Sequence, residues 1–265
     1  MYSDEALQIL SDSGAEVVDR GTGPVVALAH GAGGGVRENF APLIEGIAGR
    51  RFVGPYWPGS GGTPRAGTPL RLEDLADSAV ASAVATGAER FPVVGLSLGS
   101  AVAVAAAQRH PEHVSGLVLT VGLTRADFRV RAAAGVFRTL ALVGAKEALA
   151  AYVLSVAASE ATLRALTAVE LEEALGGVRE TMPAGAPEQM ALVGEVDVTG
   201  LLPGIEVPAL VVVSGGDRLV PPDVQRELGA IPGARVIEYA GAGHIFTPDE
   251  AVRWTADIED FLAGV

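Results

Sequence analysis

Five residues, Gly95-Leu96-Ser97-Leu98-Gly99, stand between the apolar run Phe91-Pro92-Val93-Val94 and an alanine-rich stretch, Ser100 to Gln108, whose composition predicts a helix. A strand that turns straight into a helix at a single residue leaves room for few folds. The residue at the corner takes a strained backbone, and its neighbours must lack Cβ atoms for strand and helix to approach closely. The two glycines meet that need, and the corner lifts the hydroxyl of Ser97 clear of the backbone at one end of the strand.

The rest of the chain repeats the strand and helix theme. Runs rich in valine and leucine at 16–19, 25–29, 51–53, 93–96, 117–121, 209–214 and 235–239 predict strands, with helical stretches between them. Wholly apolar runs such as Ala209-Leu210-Val211-Val212-Val213 suit parallel strands covered on both faces. The alternation predicts an α/β fold with a mostly parallel central sheet flanked by helices. One interval breaks the rhythm. From about Leu123 to Leu202 no strand signal appears, and Phe128, Val136, Phe137, Leu140 and Val143 recur at helical spacing, followed by further helices through Val169 and Leu175. The expected organisation is a core domain made of residues 1–122 and 203–265, with a helical cap, residues 123–202, inserted after the strand Leu117-Val121 and closing over Ser97. At 265 residues and 49% hydrophobic content, one large core suits the chain better than two independent domains.

A serine hydroxyl is a poor nucleophile until an imidazole removes its proton. Of the four histidines, His30 precedes the serine, and His110 and His113 end the helix that Ser97 begins. His244 is left, on a loop between the β-like run Arg235 to Tyr239 and a helix opened by Thr247-Pro248-Asp249-Glu250. A threonine cap with glutamate three residues on, and proline at the first helical position, marks that start. For the acid that orients the imidazole, Asp217 in Ser214-Gly215-Gly216-Asp217 follows the apolar strand at its carboxyl end, where open α/β sheets place their chemistry.

Taken together these pieces resemble the α/β-hydrolase fold superfamily, in its small cytosolic branch of esterases, lactonases and cofactor-free haloperoxidases. The matching residues run from about Val25 to Phe261: His30-Gly31-Ala32-Gly33-Gly34-Gly35, Pro58-Gly59-Ser60-Gly61, the Ser97 pentapeptide, His110-Pro111-Glu112, Gly216-Asp217 and Gly243-His244, in that order. The resemblance implies Ser97 as nucleophile, His244 as base and Asp217 as its orienter. It also implies an oxyanion hole, with one backbone N–H from Leu98 and a second from the glycine-rich loop, at Ala32 or at Gly33. His30 is expected to order that loop rather than to take part in chemistry. Gly33, Trp57 with Tyr56, and Phe246 are expected around the substrate pocket, with packing in the core the equal alternative for these three aromatic residues, and Trp254 in the packing of the last helix.

The expected function is a serine hydrolase that cleaves a carboxylic ester, thioester or lactone of a mostly apolar small molecule through an acyl-enzyme on Ser97. The same constellation also serves acyl transfer, C–C cleavage or cyclisation, and a pocket of this kind also occurs in non-catalytic ligand receptors. No cofactor and no metal are expected. The chain lacks cysteine and any His, Asp and Glu set with ligand spacing. A dinucleotide fingerprint starting at Gly31 would need glycine where Val36 stands, and a phosphate loop needs a lysine where the chain, whose one lysine is Lys146, has none. A formal charge of −13 argues against nucleic acid and anionic membrane surfaces as partners. Met1 to Leu7 carry no basic, apolar leader, and the expected location is the cytoplasm.

Overall fold

The computed structural model describes residues 14–265, so the reading of Met1 to Leu7 lies outside the described residues. Seven strands form one sheet: β1 (Val17–Gly21), β2 (Val25–Ala29), β3 (Arg51–Pro55), β4 (Phe91–Leu96), β5 (Val114–Thr120), β6 (Ala209–Ser214) and β7 (Arg235–Tyr239). Their order is β1-β3-β2-β4-β5-β6-β7, with β1 antiparallel to β3 and every other pairing parallel. The apolar runs became strands as expected, three of them longer by two residues.

Side chains alternate across this sheet and so supply two cores. Val25, Ala27 and Ala29 of β2 and Ala209, Val211 and Val213 of β6 face one cluster, while Val26, Leu28, Leu210 and Val212 face the other. Against the second core lies α1 (Val36–Gly46), through Val36, Phe40 and Leu43. Against the first lie α2 (Leu72–Val84) and α3 (Leu98–Arg109). Every residue of α3 from Leu98 to Ala107 is buried. Its alanines let the helix approach the sheet closely.

Five helices then follow β5 before the chain re-enters the sheet: α4 (Phe128–Leu142), α5 (Lys146–Ala157), α6 (Glu160–Ala165), α7 (Ala168–Thr181) and α8 (Ala186–Val193). The chain leaves and returns through a short antiparallel neck, in which Ala126 N–H donates to Val196 O at 2.8 Å and Val198 N–H to Thr124 O at 2.7 Å. Of the apolar residues at helical spacing, Phe137 faces inward. Val130, Ala134 and Phe137 are buried, whereas Phe128 is 77% and Val143 70% exposed, because Phe128 begins the helix and Val143 caps its end. α6 and α7 bury none of their residues.

After β6 come α9 (Pro222–Arg226) and, beyond β7, α10 (Pro248–Leu262), which packs Trp254, Ile258 and Leu262 beside α1. The expected capping box is present, with Glu250 N–H donating to Thr247 Oγ1 and Thr247 N–H to Glu250 Oε2. Among the described residues no helix is long and apolar enough to cross a membrane.

The chain runs from β2 outward to β3, then crosses back to β4 on the other side. The sheet therefore changes winding direction between β2 and β4, and the crevice at their carboxyl ends is where such sheets bind ligands. The loop after β2 and the corner after β4 meet there.

Candidate active site

Ser97 stands at that corner with φ 54 and ψ −120, a left-handed backbone that a residue with a side chain rarely adopts. Neighbouring strands hold it there. Its N–H donates to Thr120 O at 2.9 Å, and Ser100 Oγ ties the same carbonyl to Gly95 O at 3.2 and 3.1 Å. Strain of this kind persists only where the surroundings over-determine it, and it clusters at functional sites.

Asp217 follows β6 and His244 follows β7. The two loops are laced together, Gly215 N–H donating to Tyr239 O at 2.9 Å and Gly216 N–H to Ala242 O at 2.8 Å. The end of α5 closes on both, since Arg218 N–H donates to Val156 O and Ile245 N–H to Ala157 O. His244 Nδ1 lies 2.7 Å from Asp217 Oδ2. The carboxylate is fully buried, and all its acceptor sites are occupied. Oδ1 accepts from the N–H groups of Leu219 at 2.8 Å and Val220 at 3.0 Å, and Oδ2 from Gln225 Nε2 at 2.8 Å as well as from His244. An ionised carboxylate accepts only, so the imidazole proton sits on Nδ1 and Nε2 keeps its lone pair. Gln225, itself buried, was not singled out in the sequence. Its Oε1 accepts Ser214 N–H at 2.9 Å, so one amide aligns the end of β6 with the carboxylate.

His244 and Ser97 line the same cavity of about 350 Å³, together with Ala32, Gly33 and Phe246. Its walls are apolar apart from Glu38, Asn39, Ser97, Thr181 and His244, and its far side comes from the inserted helices through Val130, Phe137, Val153, Met182 and Met190. Among the described residues no three His, Cys, Asp or Glu side chains gather as a metal site would require.

Trp57 is a correction. It is fully buried behind the glycine-rich loop, away from the cavity, stacked on His30 with ring centres 4.8 Å apart. Its indole N–H donates to His30 O and its backbone N–H to His30 Nε2, both at 2.8 Å. Tyr56 is likewise buried and does not line the cavity. Trp254 packs as expected, its Nε1–H donating to Thr120 Oγ1 at 2.9 Å.

Because His30 Nε2 accepts, its Nδ1–H donates to Gly31 O at 2.8 Å. The ring orders the loop, as expected, in its neutral form. Complete burial pushes its pKa down to about 3. The unfolded chain, whose imidazole titrates near 6.5, takes up a proton that the folded chain refuses until about pH 3. This group therefore leaves stability undiminished above pH 6.5 and erodes it as the pH falls from 6.5 toward 3, at about 1.4 kcal/mol per pH unit. Urea denaturation between pH 6.5 and 4 should show that slope, and a His30→Gln chain should be flatter by one proton.

The loop's amides divide sharply. Gly31 N–H donates to Asn39 Oδ1 and Gly33 N–H to Gln189 Oε1, both at 2.8 Å. Between them Ala32 N–H has no protein partner among the described residues, and neither has Leu98 N–H at the start of α3. Of the two expected alternatives for the second donor, Gly33 is thus already engaged.

The family model described as alpha/beta hydrolase fold matches residues 24–251. The chain belongs to the α/β-hydrolase fold family. Curated relatives of this α/β-hydrolase include pyrrolizixenacetamide deacetylase of Xenorhabdus hominickii, 30% identical over 238 residues that cover 88% of this chain and 89% of the relative. The pimeloyl-[acyl-carrier protein] methyl ester esterase of a Neisseria meningitidis serogroup C strain is also 30% identical, with 91% and 94% covered. Among solved structures, the enol-lactonase of Burkholderia xenovorans LB400 superposes with a TM-score of 0.79 at 25% identity, covering 94% of this chain and 97% of that one.

Proposed function

We propose that this α/β-hydrolase cleaves a carboxylic ester, thioester or lactone of a mostly apolar small molecule through an acyl-enzyme on Ser97. Ser97 Oγ attacks the acyl carbon while His244 Nε2 takes its proton. Asp217 holds the ring and stabilises the imidazolium. The carbonyl oxygen, now negative, is received by the N–H groups of Ala32 and Leu98. Collapse of the intermediate breaks the bond to the leaving group, which departs with the proton from His244. A water molecule, deprotonated by the same nitrogen, then attacks the acyl carbon and returns Ser97 and the free acid.

The observation that carries this reading is the buried Asp217–His244 hydrogen bond, which leaves Nε2 as an acceptor in the cavity that Ser97 lines. The unpartnered N–H groups of Ala32 and Leu98 support the oxyanion assignment. The segment 123–202 serves as a cap, a role supported by the apolar residues it adds to the cavity wall. A deacetylase, a methyl ester esterase and an enol-lactonase among the relatives support an acyl compound as substrate, and the lack of cysteine suits work in the cytoplasm.

A fluorophosphonate should modify one residue, and mass spectrometry of the peptides should find the adduct on Ser97. Turnover in ¹⁸O-water should place label in the carboxylic acid product. An unmodified Ser97 in active protein would overturn the reading, while modification without ¹⁸O in the product would redirect it to acyl transfer or cyclisation.

A further inference from the structure

Gln189 is a fully buried amide with no place in the chemistry set out above. It lies on α8, in the inserted segment, yet all the hydrogen bonds of its side chain go to the core domain. Oε1 accepts Gly33 N–H at 2.8 Å, and Nε2 donates to Ser60 Oγ at 2.9 Å and Pro58 O at 3.2 Å. Ser60 Oγ donates in turn to Gly34 O at 2.8 Å, which closes a ring around the glycine-rich loop. α8 is seated there backbone to backbone. Gly185 N–H donates to Gly59 O at 3.0 Å, and a Cβ on Gly59 would come within 2.4 Å of Gly185 Cα.

The two peptide units that flank Ala32 are therefore held from opposite sides. In the unit joining Gly31 to Ala32, the carbonyl takes the proton of His30 Nδ1, so the N–H of Ala32 points the other way, as it must in a trans peptide. In the unit joining Ala32 to Gly33, the N–H is taken by Gln189. Gly33 has φ +72, and a glycine there gives the loop little resistance of its own to peptide reorientation.

Resting on the serine-hydrolase reading, we infer that Gln189 is a positioning residue for the oxyanion hole. It locks the peptide after Ala32 so that the Ala32 N–H faces the reacting carbonyl, and it makes that geometry conditional on α8 being seated on the core. Donors fixed before charge develops act mainly on the transition state.

Gln189→Met keeps the length of the side chain and removes every hydrogen bond. Against p-nitrophenyl butyrate it is expected to lower kcat by about 10–100-fold with KM within about twofold, the signature of an interaction made only in the transition state. Affinity for a trifluoromethyl ketone, whose adduct on Ser97 bears the oxyanion, should fall by the same factor as kcat/KM. Ser60→Ala opens the ring at another point and should lower kcat about 3–10-fold, with an effect that is not additive with Gln189→Met. A kcat within twofold of the parent, or a loss confined to KM, overturns the inference. If Gln189→Met does not fold, Ser60→Ala decides by the same criterion. Failure of the fluorophosphonate to modify Ser97 in the parent protein would instead overturn the serine-hydrolase reading itself.

Discussion

Exchanging Asp217 for asparagine is expected to lower kcat by about 10⁴-fold while leaving the fold intact. The reason lies in the four donors around the carboxylate. Leu219 and Val220 both direct N–H groups at Oδ1, so the asparagine oxygen must take that position. Its NH₂ then occupies the site of Oδ2, where Gln225 Nε2 and His244 Nδ1–H already point. Donors would face donors. His244 escapes by moving its proton to Nε2, which leaves Nδ1 free to accept. In that tautomer Nε2 has no lone pair for the Ser97 proton, so on the proposed mechanism Ser97 is not activated. Steady-state kinetics and the rate of fluorophosphonate modification should fall together, with an unchanged circular dichroism spectrum. A loss of less than tenfold would show that the imidazole is not oriented by Asp217.

The second large effect concerns folding. A methyl group at Gly99 would place its Cβ 1.8 Å from Ala29 O and 2.9 Å from His30 O. Both are backbone atoms at the end of β2, and they cannot retreat without pulling β2 away from α3 and from its pairing with β4. Gly99→Ala is expected to cost about 4 kcal/mol or more, a large share of the stability of a domain of this kind. Urea denaturation, or failure to recover soluble protein, would register it. Gly177 offers the contrast. It sits within α7 with open space where a Cβ would stand, and Gly177→Ala should stabilise by about 0.5–1 kcal/mol through helix propensity alone. Equal effects at the two positions would contradict the close approach of α3 to β2.

These two outcomes also show what a linear reading can reach. The corner at Ser97, the apolar runs and the Thr247–Glu250 capping box are local patterns, each written within about ten residues, and each became the expected element. Trp57 was misplaced because nearness in sequence to the Pro58-Gly59 turn says nothing about which way an indole points. Its direction is decided by His30, twenty-seven residues away, whose carbonyl takes the indole proton. The spacing of apolar residues in α4 predicts a helix but does not say which face is buried. Phe128 is apolar but points away from the interface at the start of its helix, whereas Val130, Ala134 and Phe137 share the buried face. Gln189 and Gln225 left no pattern to find. A glutamine in an apolar helix becomes meaningful only when its partners, 156 residues away for Gly33, are in place.

The inserted helices are fastened to the core at several places, among them the end of α5 against the loops that carry Arg218 and Ile245, and the start of α8 against Gly59. On the proposed mechanism, lifting the whole segment would loosen the loops of Asp217 and His244 and the peptide after Ala32 in one movement. Between these fastenings the segment is less deeply packed. α6 and α7 answer to this, since they bury none of their residues, while Val178 and Thr181 of α7 form part of the cavity wall. The most thinly packed part of the roof is thus also a part that borders the cavity.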